Sequence, residues 1–284
     1  MKKVTLLAIV SLILFSSAFA EAQDTLVQAQ KKIKKGWNIG PLPAIGYNSD
    51  LGFQYGALAD FYYFGDGSTF PEYIHKFNIE VSQYTKGTGV YHLFYDSKHL
   101  LKGIRTTIDV SYLTDKMMDF IGYNGYMSAY DAVYAAANPS FYKMDRRLMR
   151  VTADFQGSLG GHWSWAAGIG MYSYKIGEVR LEKYAAADNV YSHYVNVGLI
   201  GSGEASGGTR VELKAGLVHD TRNNEVDPTR GIWSEAILFG SPGSSSYIKL
   251  SLVHRGFIPV AGDRLTFAYR VAVQAHIAGE APFY

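Results

Sequence analysis

The sequence predicts an all-β protein, an antiparallel transmembrane β-barrel preceded by an N-terminal signal peptide. Three observations support this fold class: segments of about ten residues in which apolar and polar side chains alternate, an export leader, and connections that alternate between short and long. Alternation alone would also fit a soluble antiparallel sheet, because one face of any such strand is apolar. The leader and the connections indicate that the apolar face meets lipid.

Residues 1–20 have the features of a cleaved secretory signal. Lys2 and Lys3 precede an apolar run of 12 residues from Val4 to Phe15, and the segment ends in Ala-Phe-Ala. A membrane-spanning helix needs roughly 20 apolar residues, so this run is too short to be one. We expect an exported chain that crosses a membrane with strands, because a bilayer admits only helices and closed barrels.

Composition excludes several classes of function. Removing Lys2 and Lys3 from the 27 Lys and Arg leaves 25, equal to the 25 Asp and Glu, so no nucleic-acid partner is expected. The chain has no Cys, which excludes disulfides, thiolate metal sites and Cys nucleophiles. Metal-ligand spacings, phosphate-binding glycine loops and dinucleotide fingerprints are also missing, so no cofactor is expected. The 22 Tyr, 15 Phe and 30 Gly are typical of barrel girdles and tight turns.

The mature chain divides into a short periplasmic lead, residues 21–39, and a barrel domain, residues 40–284. Four lysines surround Ile33 in the lead. A solvated tether is the favoured interpretation, and contact with anionic lipid headgroups is the alternative. The lead is too short to fold as a domain of its own.

Alternating segments of the barrel domain predict eleven strands. In one of the clearest, Ile104, Ile108 and Tyr112 are apolar whereas Arg105 and Asp109 are charged. The predicted strands are Leu42–Tyr47, Leu51–Phe64, Tyr73–Thr85, Gly89–Ser97, Gly103–Leu113, Leu148–Ser158, His162–Tyr174, Thr209–His219, Ile232–Phe239, Tyr247–Ile258 and Arg264–Ile277.

Connections between the strands alternate in length. If the first strand runs outward, the outside connections include two long ones, Thr114–Arg147 and Lys175–Gly208. Most periplasmic connections are tight: Lys98–Lys102, Leu159–Gly161 and Pro259–Asp263. The exceptions are Gly65–Glu72 and Asp220–Gly231. Short periplasmic turns and longer outside loops are the rule in outer-membrane barrels.

Alternation also assigns each side chain to the lipid or to the lumen. Val151, Val211 and Leu213 are predicted to face lipid. The charged residues predicted to face the lumen are Lys76, Glu80, Arg105, Asp109, Arg150, Asp154, Arg210, Glu212, Lys214 and Arg270. Both signs occur among them. Mutual pairing is the favoured interpretation, and a selective pore, in which one sign dominates a constriction, is the alternative.

The segment Gly216–Gly231, which reads GLVHDTRNNEVDPTRG, is more specific than strand alternation. It suits a structured turn between two strands, because Asp220 and Asn223 can cap backbone groups, Pro228 restricts one dihedral angle and Gly231 frees another. With Arg222, these residues resemble the strand–turn–strand signature of the bacterial surface antigen barrel superfamily, which includes the BamA and TamA outer-membrane assembly proteins. Pro43–Phe53 resembles that family's first hairpin, and Gly279–Tyr284 resembles the approach to its sixth outside loop.

The resemblance implies an outer-membrane protein of a Gram-negative-type bacterium that helps to insert or translocate outer-membrane proteins. Its partners would be outer-membrane lipid, client outer-membrane proteins and periplasmic factors. The family's barrel implies a total of about 16 strands, and bacterial barrels close with an even number. Eleven strands, without the family's periplasmic POTRA modules, therefore predict a truncated chain. A passive pore or structural barrel is the alternative function.

A barrel enzyme is a third possibility that the sequence disfavours. His219 beside Asp220, and Asp188 near His193, are the neighbours that invite this interpretation. A His and an Asp that are close in sequence carry little weight without a nucleophile and a geometry. The sequence therefore predicts a protein that is not an enzyme.

Overall fold

The computed structural model describes residues 33–49, 51–123, 128–180, 189–243, 246–260 and 264–284. The predicted signal peptide and residues 21–32 of the predicted lead lie outside these ranges. No helix within them is long and apolar enough to cross a membrane.

In the described residues, twelve strands form one antiparallel sheet, and from the third strand onward each pairs with the next along the chain. The predicted all-β antiparallel fold class is therefore confirmed. The strands are β1 (Trp37–Pro43), β2 (Gly46–Asn48), β3 (Gly52–Tyr63), β4 (His75–Tyr84), β5 (Gly89–Leu101), β6 (Ile104–Asp119), β7 (Lys143–Gly160), β8 (Trp163–Gly177), β9 (Gly207–Asp220), β10 (Gly231–Ser241), β11 (Tyr247–Pro259) and β12 (Thr266–Gly279).

The first predicted strand, Leu42–Tyr47, is placed wrongly. The chain instead forms β1, which begins at Trp37, and the short β2, with a break between them at Ala44 and Ile45. Both pair with β3, so the twelve strands occupy eleven positions along the sheet. Prolines argue against an interior strand, but they are compatible with β1 because it lies at an edge of the described sheet.

The two ends of the sheet differ in their connections. At one end, here called the short-turn end, β5 joins β6 and β7 joins β8 through two residues each. At the other, the long-loop end, residues 120–142 carry helix α1 (Ala132–Ala137) and residues 178–206 carry helix α2 (Val190–Asn196). Asp131 and Asn189 cap these helices by accepting hydrogen bonds from backbone N–H groups of the first turn. Both long loops are shorter than predicted because β6, β7 and β8 extend further.

The main apolar cluster lies at the long-loop end and not between layers of the sheet. Phe120, Met144, Ile176, Tyr191 and Ile200 are its buried members. Elsewhere, large apolar side chains project from the sheet into the surroundings. Val211 is 41% exposed and Leu213 is 52% exposed. Such a surface suits a sheet whose apolar face meets lipid.

Candidate functional site

The strand register places all ten predicted lumen-facing charges on one face of the sheet. Side chains of directly opposite residues project to the same side. Lys76 lies opposite Asp96, Asp96 opposite Thr107, and Thr107 opposite Asp154, which in turn lies opposite Gly168 and so shares its face with Lys214. The same step from strand to strand through opposite residues places the other seven charges on this face: Glu80, Arg105, Asp109, Arg150, Arg210, Glu212 and Arg270. We call this the inner face, and the face that carries Val211 and Leu213 the outer face.

Ion pairs join the inner face from β3 to β9. Lys76 Nζ lies 3.5 Å from Asp60 Oδ1 on β3, and Lys214 Nζ lies 3.1 Å from Asp154 Oδ1 on β7. Two arginine–aspartate pairs connect β5 with β6 and β6 with β7. Arg105 Nε donates to Asp96 Oδ1 at 2.8 Å, and Arg150 donates to Asp109 at 3.0 Å. These are the predicted mutually paired charges.

Two predicted acids have hydrogen-bond partners instead of ion pairs. Glu80 accepts from Ser82 Oγ at 2.7 Å. Glu212 is only 7% exposed and accepts from Tyr247 Oη at 2.9 Å and, more weakly, from Tyr172 Oη at 3.5 Å. Glu212 is thus a structural acceptor that holds β8, β9 and β11 together.

Pairing of charges stops at β10. Arg270 on β12 lies directly opposite Arg255 on β11, and Arg255 stacks on the ring of Trp233 at 4.6 Å. Within the described residues, Lys249, Arg255 and Arg270 have no ion pair, and Glu235 is the nearby acid on the same face. The inner face therefore carries a basic patch on β11 and β12, which the expectation of general pairing did not anticipate.

The family-motif turn between β9 and β10 is held by its own side chains. Asp220 accepts from both Nε and Nη2 of Arg222, at 2.9 and 2.8 Å. Asn223 Oδ1 accepts from the N–H groups of Thr229 and Arg230. Gly231 has φ of +100°, and a Cβ there would lie 2.3 Å from the Thr221 carbonyl oxygen, so only glycine fits. Pro228 lies in the same turn.

The same turn also reaches across the inner face to β5 and β6. Glu225 pairs with Arg105 and with Lys98, whose Nζ lies 2.9 Å from Glu225 Oε2 and 3.1 Å from Glu72 Oε1. We call Glu225, Lys98 and Arg105 the latch. Burial opposes ionisation of Glu225, but the hydrogen bonds and charges of Lys98 and Arg105 outweigh it and lower the pKa of this carboxyl. The latch ties strands that are far apart in the sheet order, at the short-turn end.

The free edge of β1 has fewer hydrogen-bond donors than an ordinary strand edge because of its prolines. The N–H of Phe64 donates to the Gly36 carbonyl and the N–H of Ala44 donates to the Gly56 carbonyl, at 2.9 and 3.0 Å. Even-numbered residues of β1 therefore point their backbone groups at β3, and odd-numbered residues point theirs away. Pro41 and Pro43 are odd-numbered, so their missing N–H groups fall on the free side and the β3 ladder is intact.

At the long-loop end, Arg210 anchors the segment that follows β12. Its guanidinium lies within 5.9 Å of the ring centroids of Tyr172, Tyr174, Tyr247 and Tyr284, and it donates to the Tyr284 carbonyl at 3.1 Å. Arginine over aromatic rings is stabilising when water is excluded. The segment thus covers part of the long-loop end of the inner face.

His219 and Asp220 do not form a pair. His219 projects from the outer face, where its ring stacks on Trp163 at 4.6 Å, whereas Asp220 binds Arg222. His219 lies in β9, within the predicted strand Thr209–His219. Asp188 lies outside the described residues. In the described part of the chain, no group of three or more His, Asp or Glu is placed to hold a metal ion.

Sequence reasoning missed the partners of the charges it identified. Asp60, Asp96 and Lys98 lie in predicted strands or turns, and their alternation alone would have placed the two acids on the inner face. Glu225 is different, because nothing in a turn sequence indicates which strand its side chain reaches. Only the curvature of the sheet brings it to Arg105.

Comparison with known proteins identifies the family. Residues 75–284 match the Omp85 superfamily domain, and the chain therefore belongs to that superfamily. The fold is similar to the crystal structure of BamA from Haemophilus ducreyi lacking POTRA domains 1-3, with a TM-score of 0.50 and 17% sequence identity. The match covers 88% of this chain and 43% of that one, so the chain spans less than half the length of the solved protein. No curated protein matches the chain.

The resemblance inferred from the sequence is thereby confirmed. The chain is an outer-membrane protein of the Omp85 superfamily, and its antiparallel sheet is similar in fold to the BamA barrel.

Proposed function

We propose that this protein takes part in inserting or translocating other outer-membrane proteins, with the free edge of β1 as the place where client strands pair. The observation that carries the proposal is the position of Pro41 and Pro43, which remove two N–H donors from that edge and leave those of Trp37 and Ile39. In a closed barrel β1 meets the last strand, and we call this junction the seam. A seam that forms few hydrogen bonds opens at low cost, since each bond contributes about 1 kcal/mol. An opened edge can accept an added strand.

The proposed topology follows the predicted one. The leader directs export and is removed, the short-turn end faces the periplasm, and the long-loop end faces the exterior. Clients and periplasmic factors would then approach the short-turn end, where the latch lies. The proposal assigns no catalytic residue and no cofactor to the protein.

Restoring the missing donors tests the proposal. A Pro41→Val, Pro43→Val variant of the protein, reconstituted in vesicles, should insert an unfolded client barrel more slowly than the unsubstituted protein, because its seam is stronger. Leu42→Val is the matched control, since its N–H points at β3 and its change adds no donor to the free edge. Equal insertion rates for the variant and the control would overturn the role of β1, and insertion no faster than in protein-free vesicles would overturn the function.

A passive pore is the alternative, and the basic patch of Lys249, Arg255 and Arg270 favours it. Unpaired cations on a lumen wall attract anions. The discriminating measurement is conductance in planar bilayers: a steady, anion-selective conductance without any effect on client insertion would favour the pore.

A further inference from the structure

A groove of about 530 Å³ runs along β10 on the outer face. Ser234 and Ala236 form its floor, and they are small. Leu217 on β9 and Leu252 on β11 lie opposite Ala236 in the register and form the walls, 47% and 42% exposed. Leu238, two positions further along β10, ends the floor. The groove therefore runs parallel to a strand, and strands of transmembrane barrels cross the acyl-chain region at a tilt of about 35–45°.

Polar and aromatic side chains surround the groove at the short-turn end. His254 Nδ1 lies 2.7 Å from Ser234 Oγ, and His254 Nε2 lies 3.1 Å from Tyr269 Oη. Both of its ring nitrogens are therefore occupied. His219 stacks on Trp163, which is 50% exposed, and neither ring nitrogen of His219 nor the Trp163 indole N–H has a hydrogen-bond partner among the described residues. Two donors thus remain available beside the groove.

Towards the same short-turn end, the outer face is also aromatic on β1 to β5. Trp37 and Tyr63 have ring centroids 5.0 Å apart, and Phe77 and Tyr95 have theirs 4.9 Å apart. Aromatic belts of this kind lie at the headgroup level of membranes. The donors of His219 and Trp163 are therefore at the depth of lipid phosphates, and the apolar groove is at the depth of acyl chains.

We propose that the groove binds one glycerophospholipid of the leaflet at the short-turn end, with an acyl chain along β10 and the phosphate accepting from His219 and Trp163. This inference rests on the membrane placement in the proposed function. Lipid surrounds this face of the sheet. The flanking side chains form the walls of the groove, and its short-turn end is polar. At this position the flanking walls occur together with two donors that have no partner among the described residues.

Native mass spectrometry of the purified protein, released from vesicles of phosphatidylethanolamine and phosphatidylglycerol, tests the proposal. We expect one phospholipid to remain bound. Ala236→Leu fills the floor of the groove and should reduce the bound fraction about tenfold, the effect of excluding roughly two methylene groups. His219→Phe keeps a ring on Trp163 but removes the His219 donor and leaves only the Trp163 N–H, and it should also reduce the bound fraction.

Ala153→Leu is the matched control, because it adds the same bulk to the outer face of β7, away from the groove. Retention of lipid by Ala236→Leu at the level of Ala153→Leu would overturn the site, as would the absence of any retained lipid in the unsubstituted protein. The gel-mobility shift on heating is measured in the same samples. A protein that never enters the vesicles contradicts the proposed function, whereas a protein that enters them and retains no lipid contradicts only the groove.

Discussion

Single side chains at the short-turn end hold together parts of the sheet that the chain order separates. Glu225 follows β9, yet it pairs with Lys98 on β5 and Arg105 on β6. Arg105 in turn binds Asp96, which also accepts a hydrogen bond from Tyr73. Charge is therefore used here to fix the position of a turn.

Glu225→Gln should weaken this latch. The side chain of Glu225 is 42% exposed, so we expect a loss of at most about 1 kcal/mol of unfolding free energy. Its ionised form is stabilised in the folded protein and its pKa is lowered from 4.5, so the contribution is complete above that pH and disappears as pH falls through the lower value. Urea unfolding in vesicles at pH 7 and at acidic pH measures the difference.

Asp227→Asn is the control for this experiment, because Asp227 lies in the same turn and has no ion pair among the described residues. A difference between Glu225→Gln and the unsubstituted protein that persists unchanged in acid would contradict the electrostatic interpretation.

Facing can be tested at two adjacent residues of β6. Thr107 lies on the inner face between Asp96 and Asp154, whereas Ile108 lies on the outer face between Tyr95 and Ala153. Thr107→Arg should therefore be tolerated. Ile108→Arg should reduce assembly, because a lipid-facing Arg costs roughly 2–4 kcal/mol at mid-bilayer. The fraction that shows the gel-mobility shift on heating measures assembly, and equal fractions would refute the assignment of faces.

Strand β1 shows that the position of a proline decides its effect. Trp37 and Ile39 alternate with polar or small residues, and the seven residues of β1 all pair with β3. Proline usually ends a strand because it lacks a donor. In β1 the missing donors point away from the ladder, so the strand persists.

A pair of proline substitutions tests this geometry. Ile39→Pro removes a donor from the free side and should leave the β3 pairing intact. Gly40→Pro removes a donor that faces β3 and should cost about 1–3 kcal/mol. Thermal unfolding in vesicles distinguishes the two. Equal destabilisation by both variants would show that the inferred parity of β1 is wrong.

Different interactions stabilise the sheet and its cap, by which we mean the described parts of the two long loops together with the segment that follows β12. Continuous ladders and the surrounding lipid hold the sheet, whereas the long-loop end is held by aromatic contacts, such as Phe120 with Tyr194 and Tyr191 at 5.4 and 6.0 Å. Phe283 and Tyr284 join the same cluster. Aromatic contacts therefore contribute to the stability of the cap.

Phe120→Ala should loosen the cap without opening the sheet. Protease added outside vesicles should cleave the two long loops faster, while the gel-mobility shift on heating is retained, because the aromatic contacts of Phe120 are with Tyr123, Tyr191, Tyr194 and Phe283, which lie outside the strands. Val133→Ala, at an 82% exposed residue of α1, is the control. Loss of the mobility shift in Phe120→Ala would show that cap and sheet are one unit.

Most of the sheet was accessible from the sequence, because period-two alternation is a local property. It located ten of the eleven strand positions and the face of each charge, and the Asp220–Gly231 turn indicated the family. It misplaced the first strand. Prolines are unfavourable in interior strands, and the local sequence does not show that one side of this strand is a free edge. It could not supply the latch, because Glu225 and Arg105 are 120 residues apart.

The chain's alternating pattern thus determined the strands, their order and their two faces. The tertiary structure alone decided which charges meet, that the donors missing from β1 fall on its free side, and that small residues on β10 leave a groove between β9 and β11. Alternation depends on neighbours within one strand, whereas these three features depend on the register and curvature that bring separate strands together.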